Sequence, residues 1–171
     1  MSNQSFLPKL AVTALLGLGA AAAFSPPSQA QSPQYYCGTS DGAPTTMYSD
    51  GTGEPIPLIR WIYDGFGNWS PQRRCEEVSR RFQQYENEGT LEFMTTGRMN
   101  GYDVVCVARS QEGGCEGRLL FTMPPGRNPK EAVEELLNVA GVHQNNDPRS
   151  LVNGRLYIDI DQLIYLRKNS R

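Results

Sequence analysis

The first thirty residues constrain the rest of the chain more than any other feature. Lys9 precedes an apolar run from Leu10 to Phe24, and Ser28-Gln29-Ala30 places small residues around a cut before Gln31. A basic end, a short apolar core and small residues at a cleavage point make a Sec-type secretory signal peptide. The run falls short of the roughly 20 residues that span a bilayer, and Pro26 and Pro27 interrupt any helix continuing through it. The expectation is an exported domain of residues 31–171, 141 residues long, that folds where thiols oxidise.

That compartment gives the cysteines their reading. All four (Cys37, Cys75, Cys106 and Cys115) lie beyond the leader, and an even count in an exported chain reads as two disulfides. Counting leaves three pairings open. We favour Cys37–Cys75, which would tie the first strand to the first helix, and Cys106–Cys115, which would close a hairpin end. Zinc is the competing reading. No C-x-x-C pair occurs, however, and the single histidine, His143, stands far from the cysteines in sequence. No metal site is expected.

Losing the leader removes only Lys9 among the charged residues and moves the formal net charge from −2 to −3. Such a balance argues against generic binding to nucleic acid or anionic lipid. Thirteen of the sixteen basic residues are Arg, the side chain suited to bidentate pairing with carboxylates. No second long apolar segment follows the leader, so no transmembrane span is expected in the exported domain. Cys37 stands seven residues past Ala30, away from the position a lipid-anchor cysteine takes. Any membrane association is then peripheral.

Along the chain, Tyr35–Gly38 reads as a first strand, Asp41-Gly42 as a turn and Pro44–Tyr48 as a second strand. Ser49–Gly53 is a turn cluster. Pro55–Tyr63 alternates, with Ile56, Leu58, Arg60 and Ile62 on one face and Pro57, Ile59, Trp61 and Tyr63 on the other. Both faces are mostly apolar, which predicts a central strand covered on each side. The first helix opens with Ser70 as N-cap and Pro71 at its first position. At about 100° per residue, Cys75, Val78, Phe82 and Tyr85 share one face. Arg73, Glu77 and Arg81 lie nearly opposite, and Glu76–Arg80 repeats the four-residue spacing, giving exposed ion pairs worth about 0.2–0.5 kcal/mol each. The four arginines of this helix could form an anion patch, but alternation with Glu favours a solvated face. Gly89 ends the helix.

Leu91–Thr95 and Arg98–Met99 lead into Asn100-Gly101, the strongest short hairpin signal, with Tyr102–Arg109 as the return strand. Glu112-Gly113-Gly114 turns the chain into Arg118–Met123. A second helix opens at Asn128 with Pro129 at N1 and Glu131 at the reciprocal capping position. Its apolar face is Ala132, Val133, Leu136, Leu137 and Ala140, closed by Gly141. A polar loop, His143–Ser150, precedes a short strand Leu156–Ile158, and Asp161 caps a terminal helical segment through Leu166. This order predicts a single disulfide-stapled α+β domain: an antiparallel sheet, two main helices packed on it and a short C-terminal helix.

No catalytic constellation is legible. His143 sits in a polar loop without a G-x-S-x-G elbow. Glu76 and Glu77 are adjacent on a helix and point apart, so they cannot serve one glycoside. Asp159 and Asp161 are better placed, since residues two apart on a strand share a face, although a helix cap accounts for Asp161. Asn145-Asn146-Asp147 lacks the spacing of a calcium loop. No phosphate loop or dinucleotide fingerprint is present, and no cofactor is expected. The candidate binding surface is aromatic: Trp61, Tyr63, Phe66 and Trp69 bracket the glycine loop 64–68, with Arg60 beside them. Such rings could stack on a sugar or clasp a peptide. The competing reading puts Trp61 and Tyr63 in the sheet core and Trp69 as a staple before the first helix.

Several motifs together resemble a known family. They are Tyr36-Cys37-Gly38-Thr39, Pro57-Leu58-Ile59-Arg60-Trp61 and the helix run from Pro71 to Phe82 around Cys75. Thr95-Thr96-Gly97-Arg98-Met99-Asn100-Gly101, Val105-Cys106-Val107 and the run from Cys115 to Thr122 complete them. The chain is similar, over residues 35–166, to the cyanobacterial circadian-oscillating protein family of small exported proteins. The resemblance implies a cyanobacterial source and association with the cell envelope, at the outer side of the plasma membrane. It implies no reaction, cofactor or catalytic residue. The function expected is therefore a non-enzymatic envelope protein binding a protein partner through a sheet edge or the aromatic loop. The alternative is a glycan-binding module of the periplasm or cell wall, and a hydrolase using Asp159, Asp161 or His143 comes third.

Overall fold

The computed structural model describes residues 33–63, 69–137 and 147–170. The expected leader, Phe66 with its glycine loop, Ala140, Gly141 and His143–Asn146 lie outside the described residues. Strands β1 (Gln34–Ser40), β2 (Ala43–Ser49) and β3 (Ile56–Arg60) form one antiparallel sheet in the order β1-β2-β3. Helix α1 (Pro71–Asn87) follows. Strands β4 (Phe93–Met99), β5 (Tyr102–Ala108) and β6 (Leu119–Thr122) come next, then helix α2 (Pro129–Leu136). Strands β7 (Arg149–Val152) and β8 (Arg155–Asp159) and helix α3 (Ile160–Asn169) end the chain. The second sheet has the order β6-β5-β4-β8-β7, antiparallel throughout. The α+β class holds, with the expected sheet divided into two.

Three hairpins turn on one chemistry. Asp41-Gly42, Asn100-Gly101 and Asn153-Gly154 all have positive φ at both residues, the backbone of a type I′ turn, whose twist matches that of the flanking strands. The last of these joins β7 to β8, inside what reads from sequence as a polar loop and an isolated short strand. At Gly97 a different constraint applies: a Cβ there would lie 2.6 Å from the Cys115 Sγ. The bare backbone of β4 thus makes room for the Cys106–Cys115 bridge. The second bridge is Cys37–Cys75, so both favoured pairings form.

Helix α1 starts and stops as its sequence dictates. Ser70 Oγ accepts a hydrogen bond from the Arg73 N–H at 3.2 Å, and Pro71 fills the first position. At the other end Gly89 adopts φ +62°. The Thr90 N–H reaches the Tyr85 carbonyl and the Gly89 N–H reaches that of Glu86, both at 2.9 Å, which is a Schellman closure. The predicted face of Cys75, Val78, Phe82 and Tyr85 is buried. It packs on β1, β2 and β6, so α1 touches both sheets. Phe82 stacks on Tyr35 with ring centroids 5.4 Å apart. The Arg81 guanidinium donates to the Leu120 carbonyl at 2.7 Å, and the Tyr85 hydroxyl to that of Leu119 at 3.0 Å.

Several expectations need correction. β3 is an edge strand, not a central one, and it stops at Arg60. Pro57 has no N–H to give a second neighbour, while packing by α3 supplies the burial that reads as centrality. Asp159, not Asp161, caps α3: its Oδ1 accepts from the Gln162 N–H at 2.8 Å. Asp159 ends a strand and Asp161 lies in the first turn of a helix, so the two do not share a strand face. On α1, Glu76 accepts from the Gln72 amide at 2.7 Å, and Arg80 turns to Glu77 at 2.8 Å instead of to Glu76. In α2, Asn128 caps as expected, but its own amide N–H donates to Glu131 at 3.2 Å in place of a return bond to the cap backbone.

The sequence separations of the two bridges are 38 and 9 residues. Chain entropy then assigns about 4 kcal/mol to Cys37–Cys75 and about 2.5 kcal/mol to Cys106–Cys115. Urea unfolding of the two paired Cys→Ala variants should show the larger loss in the Cys37/Cys75 variant. Burial, with Glu86 nearby, pushes the Tyr35 phenol well above its ordinary range. A raised folded-state value means this contribution is complete below about pH 10 and fades as the pH climbs further. The alkaline decline of the urea midpoint should be shallower in Tyr35→Phe.

Candidate functional site

The aromatic cluster expected between Arg60 and Trp69 is split by the fold. Trp61 is 1 % exposed. Its indole N–H donates to Thr46 Oγ1 at 3.1 Å, and its ring meets Phe121 edge-on at 5.5 Å. The Ser79 hydroxyl donates to the same Thr46 oxygen at 3.0 Å, so one threonine joins β2, α1 and the end of β3. Trp61 is a core residue and has no free ring face for a sugar. Ile62 and Tyr63 follow it out to solvent, 69 % and 51 % exposed. Trp69 is half-buried, with the Arg73 guanidinium 4.4 Å from its ring centroid. Phe66 lies outside the described residues.

Where the chain leaves β3, it borders a cavity of about 530 Å³ between β3, the segment Trp61–Tyr63, α2 and the end of α3. Pro57, Ile62 and Leu136 wall it, over Leu58 and Leu137. Four arginines line it: Arg60, Arg74, Arg127 and Arg167. Two stand at the rim with carboxylates. Arg60 pairs with Asp41 at 3.5 Å, and Arg127 with Glu135 at 2.7 Å while lying 5.6 Å from the Tyr63 ring centroid. Both pairs are open to solvent and contribute little to stability.

The inner two serve the backbone. Arg74 is buried on α1; its Nε–H donates to the Trp69 carbonyl at 3.2 Å and an Nη2–H to that of Tyr63. It thereby pins the two ends of the 64–68 loop. Arg167 reaches from α3 to the free edge of β3. It donates to the Leu58 carbonyl at 2.6 Å, to the Pro57 carbonyl and to the Leu137 carbonyl at the C-cap of α2. No carboxylate lies within 4 Å of it among the described residues. Burial without a counter-charge lowers its pKa to about 10. The negative end of the α2 dipole compensates part of that cost.

Of the expected binding residues, Arg60, Trp61 and Tyr63 do converge on this cavity, with Trp61 held in the core behind it. Trp69 reaches it only through its carbonyl on Arg74. Sequence reading overlooked Arg127 and Arg167, and it placed Arg74 in an exposed cluster. Arg74 had a signal: it lies one helical turn before Val78 on the buried flank. Arg167 had none, since its partners are about 30 and 110 positions away. Among the described residues no three His, Cys, Asp or Glu side chains stand close enough to hold a metal ion, and no helix is long and apolar enough to cross a membrane. The lining chemistry suits binding, since it combines guanidinium groups with aliphatic surface.

A lysine at position 167 could not span three carbonyls on two elements. Arg167→Lys should therefore lower unfolding stability by about 2 kcal/mol or more, with faster hydrogen exchange at the β3 amides.

The family model described as circadian oscillating protein COP23 matches residues 34–165, well over half of the 171-residue chain. Curated proteins and solved structures give no match. The matched span runs from the first residue of β1 into α3 and takes in both bridges and every wall of the cavity except Arg167 and Ser170. The chain belongs to the circadian oscillating protein COP23 family.

Proposed function

We propose that this protein is exported and acts as a non-enzymatic binding protein at the outer side of the plasma membrane, holding a protein partner through the surface around Arg60, Ile62 and Tyr63. One observation carries the reading: the chain neighbours Ile62 and Tyr63 both stand exposed and, with Arg60 and Arg127, line an arginine-rich cavity. Aromatic residues and arginines are the side chains that anchor protein interfaces. Export is supported by the leader pattern of residues 1–30 and by two disulfides, which persist in oxidising compartments. The family resemblance supports a cyanobacterial envelope as the place of action, with peripheral attachment to the membrane. The glycan-binding alternative keeps Tyr63 and Trp69 but loses the Trp61 ring to the core, which leaves it the weaker reading.

A photocrosslinking residue placed at Tyr63 tests the proposal in intact cells, with Tyr102, exposed on the β4–β5 hairpin, as control. The expected outcome is one envelope protein captured at position 63 and not at 102. It should also be accessible to a membrane-impermeant label. Equal capture at both positions, or labelling only after lysis, defeats the proposal.

A further inference from the structure

The cavity beside this surface has a chemistry of its own. Its volume of about 530 Å³ lies within the range of small-molecule sites, roughly 300–1,000 Å³. Its walls are of two kinds. Pro57, Ile62 and Leu136 offer aliphatic surface, while Arg60, Arg127 and Arg167 present guanidinium groups. Among the described residues Asp41 and Glu135 are the carboxylates of the lining, and each is held by a rim arginine. Arg74, the fourth lining arginine, is taken up by the Tyr63 and Trp69 carbonyls, and Arg167 has no carboxylate within 4 Å among the described residues.

Arg167 is already positioned. Its three bonds to the Pro57, Leu58 and Leu137 carbonyls use three of five N–H donors. The other two have no partner among the described residues. A guanidinium locked in place by the fold loses little conformational freedom when an anion arrives. Desolvation has already weakened its hold on the proton, so an anion beside it recovers part of that cost. An inorganic ion would leave the aliphatic wall wet, and a neutral apolar molecule would leave the Arg167 charge uncompensated. Only a ligand with both parts satisfies both walls.

We propose that this cavity binds a small amphipathic anion, with one carboxylate or phosphate directed to Arg167 and the rim arginines and an apolar body against Pro57, Ile62 and Leu136. The site shares Arg60, Ile62 and Arg127 with the proposed partner surface, but its ligand binds without the partner, so the two readings are tested separately.

Calorimetric titration of the full, oxidised chain with octanoate, octyl phosphate, octanol and inorganic phosphate tests it. Octanoate or octyl phosphate should bind at least about tenfold tighter than octanol and than inorganic phosphate, a gap of about 1.4 kcal/mol. Whichever of the two binds more tightly identifies the head group as carboxylate or phosphate. Ile62→Glu adds a carboxylate at an exposed lining position and should weaken binding by about tenfold with an unchanged melting temperature. The double variant Arg60→Gln/Arg127→Gln should do the same. Equal affinity for octanol reduces the site to apolar contact, and equal affinity for inorganic phosphate reduces it to a charge; either result overturns the proposal. So does the absence of binding by both amphiphiles, or unchanged affinity in both variants. None of these outcomes bears on capture at position 63, which tests the partner.

Discussion

One helix bridges two sheets that share no strand, and the rest of the structure depends on how it does so. The buried face of α1 meets β1 and β2 on one side and β6 on the other. Its rotation is fixed at three points. Cys75 is bonded to β1 through Cys37, Ser79 shares the Thr46 hydroxyl with Trp61, and Arg81 and Tyr85 hold carbonyls of β6. The apolar face between these points supplies most of the burial energy. The polar contacts select one rotation out of those that burial alone would tolerate, because an unmet donor inside the core costs more than a made bond contributes.

The cavity follows from the way β3 ends its sheet. An edge strand leaves carbonyls facing outward, and a long exposed edge invites pairing with another chain. Here Pro57 withholds a donor and Arg167 occupies two of the carbonyls. The same guanidinium closes the C-terminus of α2. A single cation thus takes the place of a further strand and of a helix cap. A side chain is narrower than a strand, and the room it leaves between β3, α2 and α3 is the cavity. Its charge is a by-product of that structural task, and the proposed ligand site follows from it.

Much of the fold was legible because its determinants are local. The Ser70-Pro71 start and Gly89 stop of α1, its buried face, the cap at Asn128 and the Asn100-Gly101 hairpin each depend on residues within a few positions. The Asn153-Gly154 turn carried the same signal, yet β7 went unread because Arg149–Val152 is short and half polar. The candidate site was only partly legible. Position in the aromatic segment gave Trp61 and Tyr63 the same promise, but Trp61 turns into the core onto Thr46 and Phe121, and Tyr63 turns out to solvent. Nothing between them in sequence announces that difference. Asp159 and Asp161 were confused for the same kind of reason: pairing of β8 with β4 carries the strand as far as Asp159, which makes that residue and not Asp161 the cap.

By itself the sequence determined the local elements, the α+β class, the two cysteine pairings favoured from the placement of elements, and a family membership carried by the helix around Cys75 and the Thr95–Gly101 run. These depend on periodicity, caps, turns and motif order, which neighbouring residues encode. Tertiary structure alone decided what the arginines do. Among the described residues, similar side chains became surface pairs, a helix-to-sheet tie, a loop pin and a carbonyl clamp. The division depends on which carbonyls and carboxylates lie within hydrogen-bond reach once segments as much as 110 residues apart have been packed together.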